Sequence, residues 1–358
     1  MHHPGGNSTE AQGQQHVGSK RNRWGVILAG GDGTRLQPLT RLACGDNRPK
    51  QFCPLLSGET LLSHTRQRIA QAIDPDRVLF ALTRKHEQFY RESLACIPGS
   101  QKIVQPRNQG TLPAILWSLL HVYRADKHGL VAFFPSDHYF GNEGAFLRTI
   151  ERSFELARQN PDSVILLGAG AERPETEYGW IEPEQAIEGM DGYDAVRVRR
   201  FWEKPPLETA RKLWEQGCFW NTFVMIGSAA AFLAIIRDAT PLLAEEFQAA
   251  LSSGGQDDQQ QKIRVVYDHL DSPDFSRAVL AVSTEKLLVA SCGEVGWSDL
   301  GEPGRFISAL TENSGENSWV AAGVCSKCGL TREQIVTLSG HGEAGVAPSE
   351  SLALTFPA

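Results

Sequence analysis

Short apolar runs alternate with amphipathic segments along the first half of the chain. Each run is continuously apolar, as in strands that are covered on both faces of a parallel sheet. These runs lie at 24–29, 78–82, 131–134 and 164–168. Between them, apolar residues recur at helical spacing in segments at 60–73, 113–123 and 145–158. The alternation predicts an α/β layer fold with a mixed, mostly parallel sheet flanked by helices.

The pattern changes after about residue 170. Further strands are predicted at 177–181, 195–202 and 219–226, and a helix at 241–251. The polar stretch 252–261 contains three consecutive Gln residues and predicts a loop. The run 289–297 then leads into Ser298 and Asp299. We expect one folded domain at 24–312, between a disordered leader at 1–23 and a short C-terminal extension at 313–358.

Composition narrows the class of protein. The chain has 358 residues, of which 41% are hydrophobic and 22% charged, enough apolar material for a sizeable core. Its net charge of −7 argues against a general nucleic-acid binder, because such proteins usually carry a basic face. No run reaches the roughly 18 apolar residues of a membrane span, and the leader lacks the apolar centre of a signal peptide. We therefore expect a cytoplasmic protein with neither a membrane nor a nucleic acid as partner.

The seven cysteines are odd in number and scattered, as is typical of reduced thiols. Cys325 and Cys328 form a single Cys-x-x-Cys pair. A structural zinc site needs four ligands, so the pair indicates a surface loop rather than a zinc site.

Three glycines follow the first predicted strand, at Gly30, Gly31 and Gly33. Such a loop can turn its backbone N–H groups inward and hold phosphate oxygens. A P-loop is excluded because the chain has no Gly-Lys pair. The dinucleotide fingerprint is excluded because its third glycine would fall on Leu36. By itself the loop fits a plain tight turn equally well.

Two positively charged residues favour a phosphate site over a plain turn. Arg35 lies inside the loop and offers a forked, permanently charged donor. Lys50 follows in the Pro-led segment Arg48-Pro-Lys-Gln-Phe52. Together they would neutralise much of the charge of a triphosphate, which favours a triphosphate site over a turn.

The motif at 30–40, followed by Pro49-Lys-Gln-Phe52, resembles the signature of sugar-nucleotide pyrophosphorylases. The Pro-Lys-Gln-Phe form is most similar to the mannose-1-phosphate guanylyltransferases. The resemblance runs from about 24 to 310. It implies a Rossmann-like fold of the nucleotide-diphospho-sugar transferase type, with Arg35 and Lys50 as catalytic residues. The implied phosphate cradle consists of Ala29, Gly30, Gly31, Gly33 and Thr34.

Later segments follow the order of the same family. The loop at 105–115 resembles its nucleobase loop, which implies Asn108, Gly110 and Thr111 as nucleotide contacts. Asp137, in Phe-Pro-Ser-Asp-His, and Asp299, in Gly-Trp-Ser-Asp-Leu-Gly, resemble its two Mg²⁺ carboxylates. His138 is expected to be a neighbour, because Mg²⁺ prefers oxygen ligands.

The implied sugar-phosphate residues are Gly179, Glu203, Lys204 and Asn221. Glu203 and Lys204 also have a plainer interpretation, as a solvated charge pair at a strand end, and Tyr178 and Trp180 beside Gly179 could equally be core aromatics. Three features depart from the family: Asp32 in the phosphate loop, a longer segment at 41–48, and Phe223 where glycine is usual. No isomerase domain follows the catalytic segment, so a single activity is expected.

The resemblance implies GTP and mannose 1-phosphate as partners, GDP-mannose and pyrophosphate as products, Mg²⁺ as cofactor, and a homodimer as one possible assembly. Two alternatives stay open at this point. One is transfer to another sugar 1-phosphate, such as glucose 1-phosphate with dTTP or UTP. The other is a silent regulatory homologue that binds nucleotide sugars. A metal-dependent glycosyltransferase is disfavoured, since Asp191 and Asp194 do not have the Asp-x-Asp spacing and Asp257-Asp258 lies in a predicted polar loop.

Overall fold

A computed structural model describes residues 20–54, 59–185, 195–301 and 305. The strands among them are β1 (Arg23–Leu28), β2 (Val78–Thr83), β3 (Lys102–Gln105), β4 (Leu130–Pro135), β5 (Tyr139–Phe140), β6 (Val164–Gly170), β7 (Gly179–Pro183), β8 (Ala195–Glu203), β9 (Phe219–Ser228), β10 (Leu287–Ser291) and β11 (Trp297–Ser298). Nine of these form one sheet in the order β3-β2-β1-β4-β9-β6-β10-β8-β7, and β5 pairs with β11.

Strand direction divides this sheet. β1 pairs in parallel with β2 and β4, and β10 pairs in parallel with β6. β9 lies antiparallel between β4 and β6, and β8 is antiparallel to β10 and β7. Every strand of the sheet except β8 and β9 therefore runs in one direction. The predicted mixed, mostly parallel sheet is confirmed.

The helices within the described ranges are α1 (Gln37–Cys44), α2 (Leu61–Ile69), α3 (Glu87–Tyr90), α4 (Thr111–Ala125), α5 (Glu143–Gln159), α6 (Leu207–Glu215), α7 (Ala229–Ala239), α8 (Pro241–Ser252), α9 (Gln256–Asp268) and α10 (Phe275–Ala278). None of them is long and apolar enough to cross a membrane.

The helices cover both faces of the sheet and create two apolar cores. One core contains Trp117 of α4, Phe232 of α7 and Phe247 of α8. The other contains Ile69 of α2 and Phe154 of α5. With helices on both faces, the side chains of β2 and β4 are buried along their whole length, which explains their continuously apolar sequences.

One element differs from the prediction. The stretch 252–261 is not a loop throughout, because helix α9 begins at Gln256. Ile263 and Tyr267, four residues apart, are fully buried and anchor this helix to the core. Asp257 and Asp258 stand in its first turn, where negative charge favours a helix. Both apolar anchors lie beyond the polar stretch, so the composition of the stretch alone resembles that of a loop.

Parts of the predicted domain organisation lie outside the described residues. These are 1–19 of the leader, the stretches 55–58, 186–194, 302–304 and 306–312 of the predicted domain, and the whole extension at 313–358 with its Cys325 and Cys328 pair.

Candidate active site

A cavity of about 350 Å³ opens at the carboxyl ends of β1 and β4. The predicted phosphate loop follows β1, and Asp137 follows β4, so the sheet brings these two segments together. This is the edge at which open α/β sheets bind ligands. The cavity is lined by Leu28, Gly30, Gly31, Gly33, Gln51, Gln105, Asn108, Gly110, Thr111, Ala114, Pro135, Ser136, Asp137, His138 and Phe223.

The glycine-rich loop is pinned against the turn that carries Lys50. Gly33 has φ +59, and a Cβ there would lie 3.2 Å from the Lys50 backbone nitrogen. The Gln51 amide donates hydrogen bonds to the carbonyls of Ala29 at 3.2 Å and Gly31 at 2.8 Å. Thr34 begins the single 3-10 turn that follows. Gly33 is thus required by its left-handed backbone and by close packing, whatever the loop binds, whereas a Cβ on Gly31 would meet nothing within 4 Å.

Lys50 joins the two segments that carry the predicted metal carboxylates. Its buried Nζ donates hydrogen bonds to the carbonyl oxygens of Asp299 at 2.6 Å and Leu300 at 3.1 Å. The same nitrogen lies 3.3 Å from Oδ2 of Asp137. One ammonium group therefore holds the 299–300 turn beside the end of β4.

Asp299 is a half-buried carboxylate, 22% exposed, with a dense set of donors. Its Oδ1 accepts hydrogen bonds from the Tyr178 hydroxyl and the Gly301 N–H, both at 2.9 Å. Nε of Arg305 lies 3.2 Å from the same oxygen. Burial alone would raise the pKa of Asp299, but the nearby positive charges and the Gly301 N–H outweigh it and hold the pKa below its usual range. Burial and the Asp299 charge raise the pKa of Tyr178, so this hydroxyl stays a donor.

Asp137 and Asp299 suit a magnesium ion by their chemistry. Mg²⁺ is typically held by one or two carboxylates together with substrate phosphates and water. The side chain of Asp137 is 28% exposed and lines the cavity, so it is accessible to such an ion. Among the described residues, no group of three or more His, Cys, Asp or Glu side chains is placed to hold a metal. A two-carboxylate site would thus depend on ligands from the substrate.

His138 lies beside these carboxylates and fits the expected role of a neighbour. The Trp297 indole donates a hydrogen bond to its Nδ1 at 3.2 Å. Burial lowers the pKa of His138, although the charges of Asp137 and Asp299 oppose the shift. The imidazole is therefore neutral near pH 7.

Arg35 and Lys204 share one counter-ion, Glu177. Oε2 of Glu177 lies 2.7 Å from Nη2 of Arg35 and 3.9 Å from Nζ of Lys204. The three side chains are between 38% and 53% exposed. Arg35, predicted to hold the triphosphate, and Lys204, predicted to hold the sugar phosphate, therefore pair with the same carboxylate. Sequence reasoning missed Glu177 as a site residue, although it opens the predicted strand at 177–181 that carries Gly179.

The predicted sugar residues meet at the ends of β7, β8 and β9. A Cβ on Gly179 would lie 3.0 Å from Oε2 of Glu203 and 3.3 Å from Cβ of Asn221. Burial, followed by the charge of Asp274, raises the pKa of Glu203. Lys204 has a left-handed backbone, with φ +51, which directs the chain out of β8 at this point.

The predicted nucleobase loop packs on a segment that the sequence did not indicate. The hydroxyl of Thr111 accepts the N–H of Phe275 at 2.8 Å. A Cβ on Gly110, which has φ +82, would lie 2.5 Å from the Pro273 carbonyl oxygen. Gly110 is therefore required by the segment 272–275, independently of any nucleotide. These contacts join residues more than 160 positions apart in the chain, so local sequence carries no signal for them.

Asp32, the unusual residue of the phosphate loop, faces the same loop. Its Oδ2 accepts a hydrogen bond from Asn108 at 3.0 Å, and its Oδ1 lies 3.0 Å from Nε2 of His86. Burial alone would raise the pKa of Asp32, but Asn108, Lys85 and His86 lower it. Its charge is thus matched by neighbouring groups, which reduces the repulsion expected between this carboxylate and a bound triphosphate.

Residues 24–314 match the family described as Nucleotidyl transferase. The chain belongs to this family. The xanthan biosynthesis protein XanB of Xanthomonas campestris pv. campestris is 28% identical over 297 residues, 82% of this chain and 60% of that protein. A mannose-1-phosphate guanylyltransferase of Escherichia coli is 26% identical over 284 residues, 77% of this chain and 59% of that protein. The nucleotidyl transferase chain thus spans about three fifths of the length of these relatives.

Solved structures of other proteins share the fold. One described as mannose-1-phosphate geranyltransferase from Thermus thermophilus has a TM-score of 0.68 at 28% identity and covers 80% of this chain and 79% of its own. A UDP-glucose pyrophosphorylase complexed with UDP-glucose has a TM-score of 0.50 at 15% identity, with coverage of 80% and 96%. The second is a likeness of fold alone. Together with the family match, these comparisons confirm the predicted fold class and family resemblance.

Proposed function

We propose that this nucleotidyl transferase is a mannose-1-phosphate guanylyltransferase, which makes GDP-mannose and pyrophosphate from GTP and mannose 1-phosphate. The observation that carries the proposal is the contact of Lys50 with both Asp137 and the Asp299 turn. Through these contacts the Lys50 ammonium lies between the Asp137 carboxylate, which lines the cavity, and the backbone of the 299–300 turn. The name of the Escherichia coli relative supports guanylyl and mannosyl transfer over other choices.

The proposed reaction is an in-line displacement. A phosphate oxygen of mannose 1-phosphate attacks the α-phosphorus of GTP and forms a new P–O bond. The bond from the α-phosphorus to the bridging oxygen breaks, and its electron pair leaves with pyrophosphate. The attacking phosphate is already ionised near pH 7, so no side chain has to remove a proton. Catalysis then consists of positioning and charge stabilisation.

One group of residues would bind the triphosphate and the metal ion. The loop from Ala29 to Thr34 would place backbone N–H groups around the triphosphate. Arg35 and Lys50 would neutralise its charge. Asp137 and Asp299 would hold Mg²⁺, which would supply further positive charge to the α-phosphoryl group.

The second substrate would lie on the other side of Glu177. Lys204 would hold the phosphate of mannose 1-phosphate. Gly179, Glu203 and Asn221 would bind the hexose, the last two through its hydroxyls. Because Glu177 is the counter-ion of both Arg35 and Lys204, binding of either phosphate group there would displace it.

Two alanine variants test this assignment. Lys50→Ala and Asp137→Ala should each lower the rate of pyrophosphate release by about 100-fold or more, the usual effect of losing a transition-state contact. Lys262→Ala is the matched control, because Lys262 pairs with Asp258 on the exposed face of α9. Unchanged pyrophosphate release in both site variants would overturn the assignment of these residues.

A further inference from the structure

Phe223 occupies a strained position in the middle of β9. Its φ is +59, in the left-handed region that disfavours a bulky side chain. The N–H of Phe223 donates to Oδ1 of Asn221 at 3.1 Å. Thr222 donates to the Leu167 carbonyl at 2.7 Å and accepts the Val224 N–H at 3.2 Å. The neighbours on both sides are thus fixed, and they hold Phe223 in this conformation.

The pairing of β9 with β6 is interrupted at the same place. The register between the two strands shifts between Leu166 and Gly168, which face Met225 and Asn221. Such a bulge leaves a residue unpaired and redirects its side chain. Strain of this kind in a strand that borders a cavity suggests a functional position.

The bulge places Phe223 in the lining of the cavity that opens at the ends of β1 and β4. Its neighbours in the lining are of two kinds. Gly110, Thr111 and Ala114 come from the start of α4, on the side assigned to the nucleobase. Leu28 and Asp137 come from the strand ends that carry the phosphate loop and the metal carboxylate.

The three hexose residues stand apart from this cavity. Gly179, Glu203 and Asn221 are absent from its described lining, and they meet one another instead. Although Phe223 is only two residues from Asn221, its ring therefore faces the nucleotide side. Two nearby residues of β9 thus have different surroundings, since Phe223 lines the cavity and Asn221 lies beside Gly179.

We propose that Phe223 is a specificity-determining residue that contacts the nucleoside part of the triphosphate. This inference rests on the proposed function and assigns one of its determinants. The partly buried ring offers an apolar surface between the base side and the phosphate loop. A ribose or base edge packed on such a ring gains contact area, and a fixed ring limits which nucleosides fit. Glycine, usual at this position in the resembling family, would supply no such surface.

Two substitutions separate the ring from the backbone. Phe223→Leu keeps a side chain in the left-handed conformation but removes the aromatic ring. Phe223→Gly removes the side chain and relieves the backbone strain, since glycine adopts φ +59 readily. Phe219→Leu is the matched control, because Phe219 lies on the same strand and lines a different cavity beside Trp297.

The experiment measures binding of GTP, ATP, UTP and dTTP by titration calorimetry with Mg²⁺, and the KM values for nucleotide and mannose 1-phosphate. For Phe223→Gly we expect the Kd and KM of the preferred nucleotide to rise roughly tenfold, equivalent to about 1.4 kcal/mol. Phe223→Leu should change both in the same direction by a smaller factor. The preference among the four nucleotides should narrow in both variants, while the KM for mannose 1-phosphate stays within about twofold.

The outcomes separate this inference from the proposed function. Wild-type nucleotide affinity and selectivity in both Phe223 variants would overturn the role of Phe223. A change confined to the KM of mannose 1-phosphate would do the same. If the wild-type chain binds a nucleotide but releases no pyrophosphate with any sugar 1-phosphate, the proposed function fails, and the titrations still decide the role of Phe223.

Discussion

At the scale of single residues, the candidate site depends on a few groups that bridge distant segments. Lys50 and Asp299 are 249 positions apart, and one hydrogen bond of 2.6 Å joins them. Tyr178 supports the same turn from a third segment through its bond to Asp299. The geometry of the two carboxylates is therefore set by side chains that surround them.

Removal of the Tyr178 hydroxyl tests this support. Tyr178→Phe should lower kcat about tenfold and raise the Mg²⁺ concentration needed for half-maximal rate, because Asp299 loses a buried donor and its orientation. The loss of stability should be only about 1 kcal/mol, the usual net value of one hydrogen bond. Tyr123→Phe, on α4, controls for hydroxyl removal elsewhere. A variant that unfolds more easily without any change in its Mg²⁺ requirement would argue against a role in positioning Asp299.

Substitution of Glu177 gives a second test, in which binding of an anion should become stronger rather than weaker. Glu177→Gln removes the carboxylate that Arg35 and Lys204 share. An incoming phosphate no longer has to displace an anion, so product inhibition by pyrophosphate should become about two- to fivefold stronger, the range of a partly exposed ion pair. Glu208→Gln, which breaks an exposed pair on α6, is the control. An unchanged inhibition constant would mean that Glu177 does not compete with phosphate.

At the scale of elements, the start of α4 is fixed by a glycine with two separate requirements. Gly110 has φ +82 and ψ −178, a region that is essentially restricted to glycine, and it packs against Pro273. Gly45, which ends α1, has φ +78 but no atom near its missing Cβ. A side chain at Gly45 would therefore add backbone strain alone, whereas a side chain at Gly110 would add both strain and steric contact.

Alanine at these two positions should give unequal losses of stability. Gly45→Ala should lower the free energy of unfolding by about 1 kcal/mol, since only left-handed strain is added. Gly110→Ala should lower it by more than about 2 kcal/mol, because the new methyl group also contacts the Pro273 carbonyl. Urea denaturation of both variants makes the comparison. Equal losses would show that the segment 272–275 moves away from the added methyl group without a measurable cost in free energy.

Helix α4 also carries a pH-dependent contribution to stability. His121 donates from Nδ1 to the Trp117 carbonyl at 2.8 Å, and burial lowers its pKa to about 4. The unfolded chain binds a proton below the ordinary histidine pKa of 6.5, whereas the native chain does so only near pH 4. Native stability should therefore fall as the pH drops from 6.5 to 4, by at most about 3 kcal/mol.

His121→Gln should reduce the slope of the free energy of unfolding between pH 6.5 and 4, and the slope that remains includes the part from His138, whose pKa burial also lowers. His128→Gln, at an exposed position just after α4, is the control and should retain the wild-type slope. Parallel pH profiles for all three proteins would contradict the assignment.

At the scale of the whole molecule, strands and helices with a regular local pattern of apolar residues were predictable from the sequence. Continuous apolar runs and helical spacing predicted a sheet with helices on both faces, because strands that are buried on both faces contain few polar residues. The placement of β9 between β4 and β6 was not predictable, since strand pairing is a non-local choice. Helix α9 was missed because its polar first turns resemble a loop.

The same division holds for the candidate site. The phosphate loop, Lys50, Asp137 and Asp299 each sit in a short recognisable motif. Glu177, Tyr178 and the 272–275 segment act through partners that only the fold brings near, as the contact of Thr111 with Phe275 illustrates. Phe223 was visible as a departure, but its left-handed backbone was not.

The most direct test of the proposed function measures pyrophosphate release by the wild-type chain. GTP, ATP, UTP and dTTP are each combined with mannose 1-phosphate and with glucose 1-phosphate, with and without Mg²⁺. The proposed function predicts the highest kcat/KM for GTP with mannose 1-phosphate, and loss of the reaction when a chelator removes the metal. Equal or higher kcat/KM with glucose 1-phosphate and UTP or dTTP would contradict the assigned substrates, and no release from any pair would contradict the proposed function altogether.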